Sequence, residues 1–352
     1  MLRRLVVVPF ALLFVVAVRC APAPAAMAAT LPASLTNAEF WALTERFSEP
    51  NGYFVSRSGS PDNLLSNENQ LSAVAASLAS RVKPGGVYLG VGPEQNFTYI
   101  AAMKPRIAFI TDIRRGNLNL QLVYKAIFET TDNRADFVAR LFSRQRPPRL
   151  AVTASAGELM AAYLQAAPVD EATFKANLQG IVTHLTKTRG FALSADDLTG
   201  VEYVCRNFYR FGPAIDYTSS INGASGSFRS YASILAVTDR DGVERSYLAN
   251  EANFRIVKTM ESSNLIVPIV GDFAGPKALR SLGAWLKEHG ATVTAFYVSN
   301  VEMYLQRNGV WNAFCANAAA LPTDAASIFI RPGGGGRQPF SGIAEETAGC
   351  AR

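Results

Sequence analysis

The fold is decided by residues 87–96, which have the sequence VYLGVGPEQN, and by residues 106–112, which have the sequence RIAFITD. Each stretch begins with a short apolar run that is typical of a buried strand. The first run leads into a glycine pair, Gly90 and Gly92, and the second run ends at Asp112. Helical patterns flank both stretches, so they predict consecutive strand-helix units of a parallel sheet.

The same alternation returns towards the C-terminal end of the chain. Apolar runs predict strands at 265–270, 292–298 and 326–330, and a helix at 276–289 separates the first two. That helix has a proline at its start and is followed by a glycine, as helices commonly are. The sequence therefore predicts an α/β fold with a Rossmann-like, mostly parallel sheet and helices on both faces.

Helical spacing of apolar residues also marks residues 63–82 and dominates residues 131–230. The second region is predicted to be a mainly helical insertion, in which Tyr209 and Arg210 are candidates for facing the edge of the sheet. An Asp-Gly pair at 241–242 predicts a hairpin after the insertion.

The predicted boundaries divide the whole chain into six parts. They are a signal peptide at 1–28, an N-terminal extension at 29–62, the first half of the Rossmann-like domain at 63–130, the insertion at 131–230, the second half at 231–331 and a flexible tail at 332–352.

The first 28 residues have the layout of a secretory signal peptide. Arg3 and Arg4 precede the apolar run 5–18, and the small residues of Ala26-Met27-Ala28 follow it. The run has 14 residues, whereas about 20 are needed to span a bilayer. We therefore expect an exported protein, periplasmic or extracellular, with no stable transmembrane segment after cleavage. The alternative is a lipid anchor on Cys20.

Composition and charge exclude several classes of protein. The chain is 49% hydrophobic and 18% charged, which excludes a disordered chain. The formal net charge falls from +6 to +3 when Arg3, Arg4 and Arg19 leave with the signal peptide, because no acidic residue leaves with them. No Lys/Arg-rich run of the kind that binds nucleic acid is present, so we expect no nucleic-acid partner.

Cysteine and histidine spacing predicts a disulfide rather than a metal site. Cys205, Cys315 and Cys350 remain after cleavage, which allows one disulfide and one thiol in an oxidising compartment. A bond between Cys315 and Cys350 is favoured, because it would tie down the tail. The scattered cysteines and the two histidines give no zinc-binding spacing, so no metal is expected.

The stretch Lys83-Pro84-Gly85-Gly86-Val87-Tyr88-Leu89-Gly90-Val91-Gly92, followed by Asp112, resembles the first two motifs of class I S-adenosylmethionine-dependent methyltransferases. The resemblance implies that the loop of Gly90 and Gly92 passes around the methionine part of S-adenosylmethionine. It also implies that Asp112 holds the ribose. Residues 90–97 and 112–118 are similar, in addition, to phrases found in a group of exported bacterial proteins of unassigned activity.

Ligands of open parallel sheets bind beyond the carboxyl ends of the strands, so polar residues that follow the predicted strands are the site candidates. Paired guanidinium donors could clamp an anion, and a buried carboxylate could act as a general base. The predicted catalytic residues are Asp272 and Glu302. The predicted cofactor-binding residues are Gly90, Gly92, Glu94, Gln95, Asn96, Asp112, Arg114, Arg115 and Asn300, with Ser299 in the same crevice.

The sequence thus predicts an exported protein that binds S-adenosylmethionine, or another nucleoside-like or anionic small molecule, at the glycine loop. Methyl transfer is the activity that the resemblance implies. The alternative is a non-catalytic envelope protein that uses a degenerate form of the same fold for interaction. The oligomeric state is not specified by the sequence.

Overall fold

The computed structural model describes residues 30–53, 63–222, 228–331 and 338–350. Within them the chain forms a six-stranded sheet in the order β3-β2-β1-β4-β5-β6. The strands are β1 (Val87–Gly90), β2 (Ile107–Asp112), β3 (Ile266–Val270), β4 (Val293–Tyr297), β5 (Ile328–Ile330) and β6 (Phe340–Gly342). The first five strands run parallel, and β6 is antiparallel to β5.

Helices surround this sheet. In chain order they are α1 (Asn37–Phe47), α2 (Leu71–Arg81), α3 (Gln95–Met103), α4 (Arg115–Thr130), α5 (Arg134–Phe142), α6 (Ala156–Gln165), α7 (Glu171–Thr183), α8 (Ala195–Phe211), α9 (Ser219–Asn222), α10 (Tyr231–Leu235), α11 (Glu251–Ser262), α12 (Ala278–Glu288), α13 (Val301–Arg307), α14 (Trp311–Ala319) and α15 (Ile343–Thr347). A π-helical turn (His184–Thr188) continues α7, and a 3-10 turn (Gly212–Ala214) follows α8.

The central strands are buried along their whole length. Every residue of β1, β2 and β3 is buried, which explains why these strands are continuous apolar runs rather than alternating ones. Helix α4 packs against β2 and β3, while α1 packs against β3. The predicted α/β fold with a mostly parallel sheet is confirmed, and the strand order is compatible with a Rossmann-like fold.

The predicted insertion is helical in its described residues and shares the core of the sheet domain. Helix α8 packs along α4, and α5 packs against both. Phe137 on α5, Phe208 on α8 and Tyr124 on α4 belong to one buried cluster with the strands. The insertion is therefore held to the sheet by apolar burial, which is the main favourable term in folding.

Two local predictions differ from the structure. The helix predicted to begin at residue 63 begins at Leu71, because Asn63 has a left-handed backbone (φ 55°) and the following residues form a loop. The predicted hairpin around 241–242 is a tight turn flanked by a single bridge, Thr238 to Glu244. Gly242 supplies the positive φ of that turn, but the neighbouring backbone does not extend into strands.

The C-terminal segment is more ordered than the predicted flexible tail. Its described part, residues 338–350, forms β6 and α15. Cys350 is disulfide-bonded to Cys315 on α14, with 5.3 Å between the two Cα atoms, so the favoured pairing is confirmed. Cys205 is free and buried. The predicted signal peptide lies outside the described residues, and no helix within those residues has the length and apolarity to cross a membrane.

The disulfide should contribute measurably to stability, because it closes a loop of 35 residues in the unfolded chain. We expect Cys350→Ser to lower the free energy of unfolding by about 2–4 kcal/mol in urea denaturation under non-reducing conditions. Dithiothreitol should lower the stability of the unmodified protein and leave that of Cys350→Ser unchanged. Cys205→Ala, which keeps the disulfide, is the matched control and should retain the sensitivity to reductant. Equal stabilities with and without reductant would contradict the prediction.

Candidate functional site

A cavity of about 330 Å³ lies at the carboxyl edge of the sheet. Residues that follow β1, β2, β3 and β4 line it, together with the loop before α2 and with α13. The edge includes the point between β1 and β4 where the strand order reverses, which is where doubly wound sheets bind ligands. The volume falls within the range of small-molecule sites, about 300–1,000 Å³.

Strand register places the glycine loop and Asp112 level with each other. Gly90 pairs with Ile110 across the parallel β1-β2 ladder, so Gly92 and Asp112 each lie two residues beyond a paired position. Both line the cavity. Parallel pairing thus brings together two groups that are 20 residues apart in the sequence.

The two glycines of the loop serve different purposes. Gly92 faces the cavity and has φ 79°. Glycine adopts this backbone conformation without strain. Gly90 does not line the cavity. A Cβ atom there would lie 2.0 Å from Asn96 Oδ1, so Gly90 allows Asn96 to pack directly beneath the loop.

Three amide side chains hold the loop in shape. Asn96 Nδ2 donates to the carbonyl oxygens of Val91, Gly92 and Pro93 at 3.1, 3.2 and 2.7 Å. Gln95 Nε2 donates to Val91 O at 2.8 Å, and Gln121 Nε2 donates to Gly92 O at 3.0 Å. These hydrogen bonds fix the positions of the carbonyl oxygens of the loop. Asn96 is buried and shapes the loop without reaching the cavity, whereas Gln95 lines it.

Asp112 and Arg114 form the charged part of the cavity wall. Asp112 Oδ1 accepts from the Arg114 backbone N–H at 2.9 Å and from Arg114 Nε at 3.2 Å. Arg114 Nη2 lies 3.5 Å from Oδ2, at the limit of a hydrogen bond. Oδ2 consequently keeps most of its capacity to accept hydrogen bonds from a ligand. Arg114 also lines the cavity, where its guanidinium partly balances the carboxylate charge.

Two further predicted residues lie on the cavity. Asp272, which follows β3, lines it, and its Oδ1 accepts from the backbone N–H of Ala274 at 2.9 Å. Asn300, at the N-terminus of α13, lines it from the β4 side and is exposed. The carboxyl ends of four neighbouring strands thus contribute polar groups to a single cavity, as the fold predicts.

The structure does not bring Arg115, Glu302 or Glu94 to the cavity wall. Arg115 is paired with Asp197 on α8, with Nε to Oδ1 at 2.6 Å and Nη2 to Oδ2 at 2.8 Å. Glu302 is buried and forms a bidentate ion pair with Arg331, with oxygen-nitrogen distances of 2.6 and 2.7 Å. Both pairs join structural elements and use the geometry that favours Arg-carboxylate contacts.

Glu94 lies behind the glycine loop and ties it to the loop before α2. Its two carboxylate oxygens accept from the backbone N–H of Ser66 at 3.1 and 3.0 Å. Burial raises the pKa of Glu94 to about 7, although the Ser66 hydrogen bond opposes the shift. Glu94 therefore positions Ser66, which does line the cavity.

Sequence reasoning missed the residues that reach the cavity from outside the strand ends. Ser66 and Asn67 belong to a loop that was predicted to be helical. Tyr217 comes from the insertion, whereas the candidate Tyr209 stacks on Phe174 instead. The further lining residues that were not predicted include Tyr53, Asn63, Tyr297, Tyr304 and Arg307. A break in helical spacing between Asn63 and Leu71 was the available signal for the loop; no comparable signal marked Tyr217.

No cluster of His, Cys, Asp and Glu suited to a metal ion occurs within the described parts of the chain. Together, the fold and the cavity define an α/β protein with a ligand-sized site at the carboxyl edge of a mostly parallel sheet. Residues 64–347 match the family described as a domain of unknown function, DUF7790, and the chain belongs to that family. The matched region runs from the loop before α2 to α15. No curated protein matches the chain.

The raised pKa of Glu94 predicts a pH-dependent stability. Folded Glu94 holds its proton up to about pH 7, whereas an unfolded glutamate loses it near 4.3. The folded state binds more protons between these values, so the free energy of unfolding should fall as pH rises through that window and level off above it. Burial also raises the pKa of Glu261, to about 8, which extends the decline.

Glu94→Gln keeps an oxygen for the Ser66 N–H and removes the ionisation. We expect it to lessen the loss of stability between pH 5 and 8 by up to about 3 kcal/mol, measured by urea denaturation at each pH. Glu288→Gln, at an exposed position on α12, is the matched control and should follow the unmodified protein. Identical pH profiles for Glu94→Gln and the unmodified protein would show that Glu94 stays ionised when buried.

Proposed function

We propose that the cavity at the carboxyl edge of the sheet binds a nucleoside-like small molecule. The observation that carries this proposal is that Gly92, with its left-handed backbone, and the Asp112 carboxylate open onto the same cavity. A glycine without a side chain lets a ligand approach the backbone closely, and a carboxylate at the end of the second strand can accept two ribose hydroxyls.

S-adenosylmethionine is the ligand that the methyltransferase-like motifs favour. Gly92 and Asp112 are the motif positions that face the cavity, and Gly90 supports the loop from behind. Among the residues that the structure describes, the Asp112 Oδ2 atom has only the long Arg114 contact, which leaves it able to accept a hydrogen bond from a ribose. The proposed role is that of a methyltransferase-like protein in which Asp112 and the glycine loop bind the cofactor.

Export is part of the proposal. The N-terminal pattern of Arg3, Arg4 and the following apolar run supports it, and the Cys315–Cys350 disulfide is of the kind that persists in oxidising compartments. S-adenosylmethionine is made in the cytoplasm, so an exported protein would need a supply of it or would bind a related nucleoside.

Protease protection of a reporter fused after Thr30 tests export. We expect added protease to digest the reporter outside the cytoplasm, and a reporter protected in the cytoplasm would contradict export.

Isothermal titration of the full mature chain with S-adenosylmethionine, S-adenosylhomocysteine and nucleotides tests the binding proposal. We expect saturable binding of at least one of them. Asp112→Asn should weaken that binding about tenfold or more, because hydrogen bonds to a charged group contribute about 1.5–3 kcal/mol. Asp196→Asn, an exposed change on α8, should bind like the unmodified protein.

A second pair of variants separates backbone strain from ligand contact. Gly92 and Gly85 both have positive φ, and neither would bring a new Cβ within 3.4 Å of a neighbour. Gly92→Ala and Gly85→Ala should therefore each lose about 1–2 kcal/mol of stability. Only Gly92→Ala should also lose ligand affinity, since Gly85 does not line the cavity. Absence of binding by every ligand in a folded protein would remove the proposal.

A further inference from the structure

A buried carboxylate that the proposed ligand contacts do not use lies behind the β4 side of the cavity. Glu68, in the loop before α2, is 7% exposed. Its Oε1 accepts hydrogen bonds from the Tyr297 hydroxyl and from Ser299 Oγ, the latter at 3.3 Å. No Lys or Arg of the described chain forms an ion pair with it. A buried carboxylate with hydroxyl partners alone is costly to maintain in its charged form.

Ser299 connects this carboxylate to the cavity. It lies two residues after the end of β4, lines the cavity and is half-buried. Its φ of 49° places it in the left-handed region, which a non-glycine residue occupies under strain and which recurs at functional sites. A hydroxyl that donates to Glu68 still has lone pairs with which to accept a hydrogen bond from a cavity occupant.

The surroundings of Glu68 favour proton acceptance. Burial raises the pKa of Glu68, and the hydrogen bonds from Tyr297 and Ser299 oppose the shift. The titratable groups that face it are Tyr88 on β1, Tyr99 on α3 and Tyr297 on β4. Burial raises the pKa of each tyrosine well above its usual range, so these three groups stay protonated. Glu68 is therefore the group of this cluster that can take up a proton, and it does so at a higher pH than an ordinary glutamate.

We propose that Ser299 and Glu68 form a proton-accepting subsite for a hydroxyl or amino group of a second small molecule, bound on the β4 side of the cavity. The proposal rests on the proposed function, because it assigns the part of the same cavity that lies opposite Asp112. Ser299 Oγ takes the proton of the O–H or N–H group while its own proton passes to Glu68 Oε1. The second molecule keeps the electron pair of the broken bond, Glu68 becomes a carboxylic acid, and no other covalent bond changes.

In this arrangement Ser299 contacts the second molecule, and Glu68 acts through it as a positioning and proton-storing residue. The ligand class is a small nucleophile that carries an ionisable hydroxyl or amine. In a methyltransferase-like protein such a nucleophile is the acceptor of the transferred group. The site thus has two sides, with Asp112 and the glycine loop on one and the Ser299–Glu68 pair on the other.

Carboxyl-carbon NMR of protein labelled with [5-¹³C]glutamate, with 4-nitrophenol as the probe, tests the proposal. Glu68→Gln identifies the Glu68 resonance by its loss. At a pH just above the Glu68 titration midpoint, we expect saturating 4-nitrophenol to move this resonance towards its protonated position. The absorbance of the bound probe should show a larger phenolate fraction than in buffer.

Ser299→Gly is the decisive variant, because it removes the hydroxyl and relieves the left-handed backbone. Its stability should equal or exceed that of the unmodified protein, while the probe-induced shift of Glu68 and the added phenolate are lost. Ser281→Ala on α12 is the control and should keep both responses. An unchanged Glu68 resonance in the unmodified protein, or a full response in Ser299→Gly, would overturn the proposal. Failure of the adenosyl ligands to bind while 4-nitrophenol shifts Glu68 would contradict the nucleoside proposal alone.

Discussion

Parallel pairing of β1 with β2 on one side and β4 on the other is the constraint on which the rest of the structure depends. Parallel strands cannot be joined by tight hairpins, so each connection must cross a face of the sheet as a helix. Those crossovers cover the sheet, which explains why β1, β2 and β3 are buried along their whole length. The same geometry brings the carboxyl ends of the five parallel strands to one edge, where the cavity forms.

Some charged groups near this edge form ion pairs inside the protein, whereas others line the cavity. Arg115 pairs with Asp197 of the insertion, and Glu302 pairs with Arg331, which follows β5. Arg331 also pairs with Glu346 on α15 and so connects α13 to the C-terminal segment. Asp112 and Arg114 are paired with each other yet remain on the cavity wall. Arg115 and Glu302 cannot readily leave their partners for a ligand, because breaking a buried ion pair leaves an uncompensated charge. Asp112 and Arg114 lie on the cavity wall, so each can exchange a contact within the protein for a contact with a ligand.

Two buried carboxylates that form no ion pair with a described Lys or Arg lie behind the cavity. Glu94 holds Ser66 on the β1 side, and Glu68 holds Ser299 on the β4 side. Burial raises the pKa of both carboxyls. Each carboxylate accepts a hydrogen bond from a serine that lines the cavity, so the protonation states of Glu94 and Glu68 are coupled to the two walls of the cavity. Perturbed carboxyl groups beside a cleft are a recognised mark of functional sites.

The sequence by itself determined the strand-helix alternation and the central position of the glycine loop, and it favoured Cys350 as the disulfide partner of Cys315 without fixing the pair. These features follow from local patterns: apolar runs, glycine and proline at helix ends, and cysteine position. It also indicated that Gly92, Asp112, Arg114 and Asp272 follow strands and so meet at one edge.

Only the tertiary structure decided which candidates face the cavity. The contacts of Arg115 with Asp197 and of Glu302 with Arg331 join residues 82 and 29 positions apart, and the Glu68 contact with Ser299 joins residues 231 positions apart. No local pattern encodes such contacts, because they depend on how whole elements pack. The loop before α2 and Tyr217 of the insertion reach the cavity for the same reason, because the packing of whole elements brings these distant segments to the edge of the sheet.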